Sequence, residues 1–67
     1  MAITLKAARV NMGLTQAQAA EQLGITVDVL SNWERGISFP NVPNIMNLEK
    51  LYKVSYSDLI FLPRDNG

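Results

Sequence analysis

Between positions 15 and 36 the chain reads TQAQAAEQLGITVDVLSNWERG, two short helix-forming runs separated by one glycine. Thr15 suits the N-cap of the first run, because its hydroxyl can accept from a backbone N–H that has no helical partner. Gln18, three residues on, completes a capping box. Positions 17–23 are mostly strong helix formers. Gly24 supplies a left-handed stop, and Ile25 can fold back onto Ala19 or Ala20 beneath it. Thr26 caps a second helix at once, and Gly36 offers the second stop. The connection is therefore only a few residues long.

Two helices joined by a short turn containing glycine form the helix-turn-helix motif. At ~100° per residue, Val29, Leu30 and Trp33 fall on one side of the second helix, positions 26–35, and predict a core face. Val27, Asp28, Ser31, Asn32 and Arg35 fall on the other. A solvated surface helix usually carries more Lys and Glu than this polar edge does. Trp33, at helical spacing with the apolar residues, is read as core rather than as a stacking platform.

Sixty-seven residues allow one small domain. A domain of this size buries only ~60% of its unfolded surface. There is no Cys and no His, so a disulfide, a thiolate nucleophile and an imidazole ligand are all excluded. The acidic residues are scattered, and no Gly-rich phosphate cradle or nucleophile with an obvious base is present. Neither a catalytic function, nor a metal, nor a cofactor, nor a small-molecule substrate is expected. No apolar run approaches the ~20 residues of a membrane span, and no signal-peptide layout is present, so cytoplasm is the expected compartment. The formal net charge is zero with a pI near 6.1, whereas a nucleic-acid binder usually shows a basic footprint.

The remaining segments predict further helices around this pair. Residues 3–12, ITLKAARVNM, read as helix one, with Leu5, Ala8, Val10 and Met12 as apolar positions. Residues 36–44 read as a loop broken by Pro40 and Pro43, with Asn41 capping the next helix. Helix four, 42–53, places Ile45, Leu48, Leu51 and Tyr52 on one core face. Ser55 or Ser57 caps a short fifth helix, followed by Ile60, Phe61 and Leu62 and stopped by Pro63. Residues 63–67 read as a frayed tail. The expectation is one all-α, five-helix domain spanning 1–67, ordered over about 3–62.

Arg9, the GLTQ run at 13–16, Ala20, the LGIT run at 23–26, Ser31, Trp33, Glu34, Gly36, Pro40, Leu48, Val54 and Leu59 resemble the pattern of Cro/C1-type (Xre-like) helix-turn-helix regulators. The resemblance covers residues 5–59 without a gap, and its WE-x-G and LTQ segments are its most specific parts. It implies a lambda-repressor-like DNA-binding domain, with helices 2 and 3 as the helix-turn-helix and helix 26–35 in the major groove.

Residue roles follow from the resemblance. Arg9 pairs with Glu34 in a partly buried ion pair, the alternative being that Arg9 meets phosphate. Gln16 bonds a DNA phosphate, helped by the positive pole of the helix start; the alternative is a helix-start polar residue without further role. Lys6 and Arg35 are the freer phosphate candidates, and Ser38 and Asn41 can donate to phosphate from the loop. By position, Val27, Asp28, Ser31 and Asn32 match the residues that touch base edges. Asn32 can pair with N6 and N7 of adenine, Asp28 can accept from cytosine N4, and Val27 can meet a thymine methyl. For Asp28 the alternative is a helix-start acid satisfying the macrodipole. Related regulators bind half-sites ~34 Å apart as symmetric pairs. A homodimer on a palindromic operator is therefore expected, with Ile60, Phe61 and Leu62 as its candidate interface; the alternative is that these are ordinary core residues at the domain's end.

Two functions remain open at this point. One is sequence-specific binding of double-stranded DNA by a small, repressor-like transcriptional regulator. The other is a protein-interaction module on the same fold that binds a partner regulator instead of DNA. Zero net charge, Met12 where the family often has a basic residue, and Ile37 and Phe39 in the phosphate loop favour the second. Gln16, the capping geometry and the Ser31/Asn32 edge favour the first.

Overall fold

Side-chain caps set where the helices begin. The computed structural model describes residues 2–61. Thr4, Thr15, Thr26 and Asn41 each accept a hydrogen bond from the backbone N–H three residues on. The helices that follow are α1 (Leu5–Asn11), α2 (Gln16–Leu23), α3 (Val27–Glu34) and α4 (Val42–Tyr52). The Thr15 box is reciprocal: Gln18 Oε1 accepts from Thr15 N at 2.9 Å. Pro43 stands in the first turn of α4, where its missing N–H costs nothing.

The turn between α2 and α3 is closed by Gly24, at φ 72°. Ile25 N–H donates to Ala20 O at 3.0 Å, the long bond of a Schellman stop. This geometry brings α3 back across α2, and both helices share a core with α4. Leu30 and Leu48 lie at its centre, fully buried, with Ala19, Ala20, Trp33 and Tyr52 around them. Trp33 is therefore core.

Three expectations are corrected. Helix one starts at Leu5, not Ile3, because Thr4 is its cap. Ile3 and Thr4 instead form strand β1, paired in parallel with β2, Leu59–Ile60. The expected fifth helix is a single 3-10 turn, Tyr56–Asp58. Lys53 ends α4 in the left-handed conformation at φ 55°. The few residues between that stop and β2 cannot repay helix nucleation. The domain thus has four α-helices, one 3-10 turn and a two-strand parallel pair among the described residues. Finally, Val10, Met12 and Val29 are exposed rather than core. Leu62 and the tail 63–67 lie outside the described residues.

Candidate nucleic-acid interface

The short α2–α3 connection leaves one edge of α3 beside the start of α2. On that edge Val27, Asp28 and Arg35 are exposed, and Ser31 and Asn32 are half-buried. Thr26 fixes the first turn of α3, its Oγ1 accepting from Val29 N at 3.2 Å. Ile37 N–H donates to Asn32 O at 2.9 Å, which folds the following loop against the end of α3.

An open groove of about 670 Å³ runs between α1, the start of α2 and α3. It is lined by Lys6, Arg9, Thr15, Gln16, Ser31, Glu34 and Arg35. The structure thus brings together four residues read from the sequence as DNA contacts: Lys6, Gln16, Ser31 and Arg35. Ser38 and Asn41 do not line the groove. The Asn41 Oδ1 is also committed to Asn44 N, at 3.0 Å, as the α4 cap.

The floor of the groove is a buried polar cluster. Arg9 Nε donates to Glu34 Oε2 at 2.7 Å, and a second guanidinium nitrogen donates to Glu34 Oε1 at 3.2 Å. A third donates to Leu14 O at 2.9 Å. Arg9 thus commits three of its five N–H donors within the protein. The hydrogen bond to Glu34 holds the Arg9 pKa above its ordinary value, against the opposing effect of burial. Gln16 Nε2 donates to Glu34 Oε1 at 3.1 Å. That bond was not legible in the sequence; only the shared groove edge of a helix start and a WE-x-G acid could have signalled it.

Tyr52 reaches the same cluster from α4. Its ring is buried, and its hydroxyl has no hydrogen-bond partner among the described residues. Burial, reinforced by the Glu34 charge, raises its pKa to about 12.

A second surface lies on the other side of the loop. Phe61 packs edge-on against Phe39, with ring centroids 6.3 Å apart, and tilted against Tyr56 at 5.9 Å. With Pro40 and Ile45 these rings line an apolar cleft of about 300 Å³. Val42 and Met46 extend it along α4 and are 69% and 50% exposed, an apolar stripe that core packing does not explain. Their i, i+4 spacing, offset from Ile45 and Leu48, was the signal available in the sequence. Ile60, next to Phe61 in the chain, is exposed on β2.

A helix-turn-helix pair with an open polar edge on its second helix is the class this geometry defines. The helix-turn-helix family model matches residues 5–59. The chain belongs to the helix-turn-helix family, as an Xre-like, Cro/C1-type domain. It is 43% identical over 56 residues to the HTH-type transcriptional regulator ImmR of Bacillus subtilis (strain 168), an overlap of 84% of this chain and 44% of that protein. It is 34% identical over 56 residues to the HTH-type transcriptional activator BcrR of Enterococcus faecalis, covering 84% of this chain and 28% of that one. The chain thus spans less than half the length of these relatives. No solved structure matches it significantly. Among the described residues, no helix is long and apolar enough to cross a membrane.

Proposed function

We propose that this domain binds double-stranded DNA sequence-specifically as a small, repressor-like transcriptional regulator acting in the cytoplasm. The observation that carries this reading is the groove, where Lys6, Gln16, Ser31 and Arg35 line one concave edge beside the open face of α3. Lys6, Arg35 and the Gln16 amide meet phosphates, and so position the helix. Val27, Asp28, Ser31 and Asn32 then read base edges in the major groove. Ser38 is a secondary phosphate donor from the loop, as is the amide nitrogen of Asn41. Neutral overall charge is compatible with this, because DNA meets the local potential: Lys6 and Arg35 line the groove, and the acid that lines it, Glu34, is paired with Arg9.

One α3 edge covers few base pairs, so the active species is a homodimer on a palindromic operator. The apolar surface of Phe39, Val42, Met46, Tyr56, Ile60 and Phe61 is the proposed interface. It extends the face expected at Ile60 and Phe61; Leu62 falls outside the described residues.

The test is selection of bound duplexes from a random pool at low salt. An enriched palindromic consensus is the expected result. No enrichment at any concentration favours the alternative, a protein-interaction module, for which the exposed apolar surface is the specific support.

A further inference from the structure

We infer that Glu34 is a positioning residue that fixes the polarity and direction of the Gln16 side-chain amide in the groove. The inference rests on the DNA-binding reading for its consequence, but not for its geometry. Glu34 Oε1 accepts from both Arg9 and Gln16, at 3.2 and 3.1 Å. A carboxylate can only accept, so the end of the Gln16 amide that faces it must be the NH₂. An unconstrained glutamine amide presents either end with nearly equal ease. Here the two-pronged contact with Arg9 holds the carboxylate itself in place. Gln16 is half-buried at the first position of α2, and one of its amide hydrogens is used by Glu34. Its second amide hydrogen and its carbonyl have no partner among the described residues. That free hydrogen is the group available to a phosphate oxygen, in a direction set by Glu34. Arg9 contributes at second hand, by holding the acid.

This assigns Glu34 a role beyond holding α1 to α3. The Arg9–Glu34 pair needs an acid at position 34 but no amide at position 16. A glutamine there, bonded to the same oxygen, couples the structural pair to the groove surface. Ordering the amide before DNA arrives also reduces the side-chain entropy lost on binding.

Two measurements test this. The first uses the wild-type protein alone: side-chain amide resonances by NMR. One Gln16 Nε2 hydrogen should be shifted and protected from exchange relative to the amide of exposed Gln22. Equal behaviour of the two glutamines overturns the inference. The second is a binding cycle on a selected duplex with Gln16→Met, Glu34→Gln and the double variant, at a temperature where all are folded. Gln16→Met keeps the Arg9–Glu34 pair and should lose about tenfold in affinity per half-site. Glu34→Gln should lose a comparable factor in the wild-type background and almost none in the Gln16→Met background. Losses that multiply instead show that Glu34 acts independently of Gln16, and overturn the inference. If Glu34→Gln does not fold, the wild-type resonances decide alone. If no duplex is bound, the DNA reading fails while the amide measurement still decides the positioning role.

Discussion

Tyr56 donates its backbone N–H to the Glu49 carboxylate across 2.7 Å, seven residues back along the chain. Glu49 thus serves the 3-10 turn as a cap supplied from α4. Val54 N–H donates to Glu49 O at 3.2 Å as well, so one residue anchors the whole exit from α4. This anchor fixes the backbone of Tyr56, whose ring lies 5.9 Å from that of Phe61.

That arrangement bears on self-association. Met46 is half exposed on the apolar surface and is not part of the core cluster. Met46→Glu should leave the helix content and melting temperature nearly unchanged and raise the dimer dissociation constant at least tenfold. Phe61→Glu should do the same with some loss of stability. Sedimentation with operator footprinting checks both; unchanged values for the two place the interface elsewhere.

The buried Tyr52 hydroxyl gives a stability prediction of unusual sign. An unpaired buried polar group costs ~1–3 kcal/mol. Tyr52→Phe should therefore be neutral or stabilising by up to ~1 kcal/mol in urea denaturation. It should also change the alkaline limb. The Tyr52 pKa is raised in the folded protein from 10.0 to about 12, so the folded state favours the neutral phenol. Its contribution is fully present below pH ~10 and is lost as pH rises through about 12. The loss is at most ~3 kcal/mol, and partial solvent screening makes it smaller. Tyr52→Phe should remove this component of the alkaline limb.

Breaking the Arg9–Glu34 pair from one side strands a buried charge. Arg9→Met should cost ~3–5 kcal/mol, a large share of the stability of so small a domain. Arg9→Met with Glu34→Leu should recover most of that loss, because an apolar pair of similar volume is nearly neutral there. Thermal melts of the single and double variants measure the difference. A double variant no better than the single would mean that Gln16 and Leu14 O depend on the charges.

On α3, Asn32 is the residue expected to decide sequence. Asn32→Ala should cost ~1–3 kcal/mol and relax the choice at one adenine per half-site. Asp28 is exposed in the first turn of the same helix. Asp28→Ala should raise non-specific affinity by removing a charge that repels phosphate, and should blur one position if Asp28 reads cytosine. Repeating the duplex selection with each variant checks this. An unchanged consensus and affinity for Asn32→Ala would refute major-groove reading by this helix.

Few cations face the groove, so salt should weaken binding only moderately. With Lys6 and Arg35 neutralising ~2 phosphates per subunit, a dimer should show a log–log slope of about −4. A slope near −10 would require cations beyond Lys6 and Arg35.

The parts of the fold written in local chemistry were legible in the sequence. The Thr15–Gln18 box, the Thr26 cap, the Gly24 stop and Asn41 with Pro43 each act over three or four residues. Their sequence spacing therefore carries the geometry. The Thr4 cap had the same signature, but the apolar Ile3 beside it reads equally well as helix. The replacement of a fifth helix by strand β2 was not legible, because it depends on Ile3 meeting Leu59 from the far end of the chain. Val29 has core spacing but is exposed, because an eight-residue helix buries a narrow stripe, here Leu30 and Trp33. In the site, an acid at 34 opposite Arg9 followed from the family pattern. The bond from Gln16 to that acid joins residues 18 apart, and needs the folded turn to exist.

The pairing of Ile3 with Leu59 turns a linear chain into something close to a ring. The first and last described elements stand as neighbouring strands, ~4.8 Å apart. A short Gly/Ser linker between these ends, with a new opening in the 36–41 loop, should yield a circular permutant in which the helices keep their order around the ring. In the natural connectivity the same contact has the longest loop to close. It should therefore form late in folding and exchange its amide hydrogens early, ahead of α2 and α3.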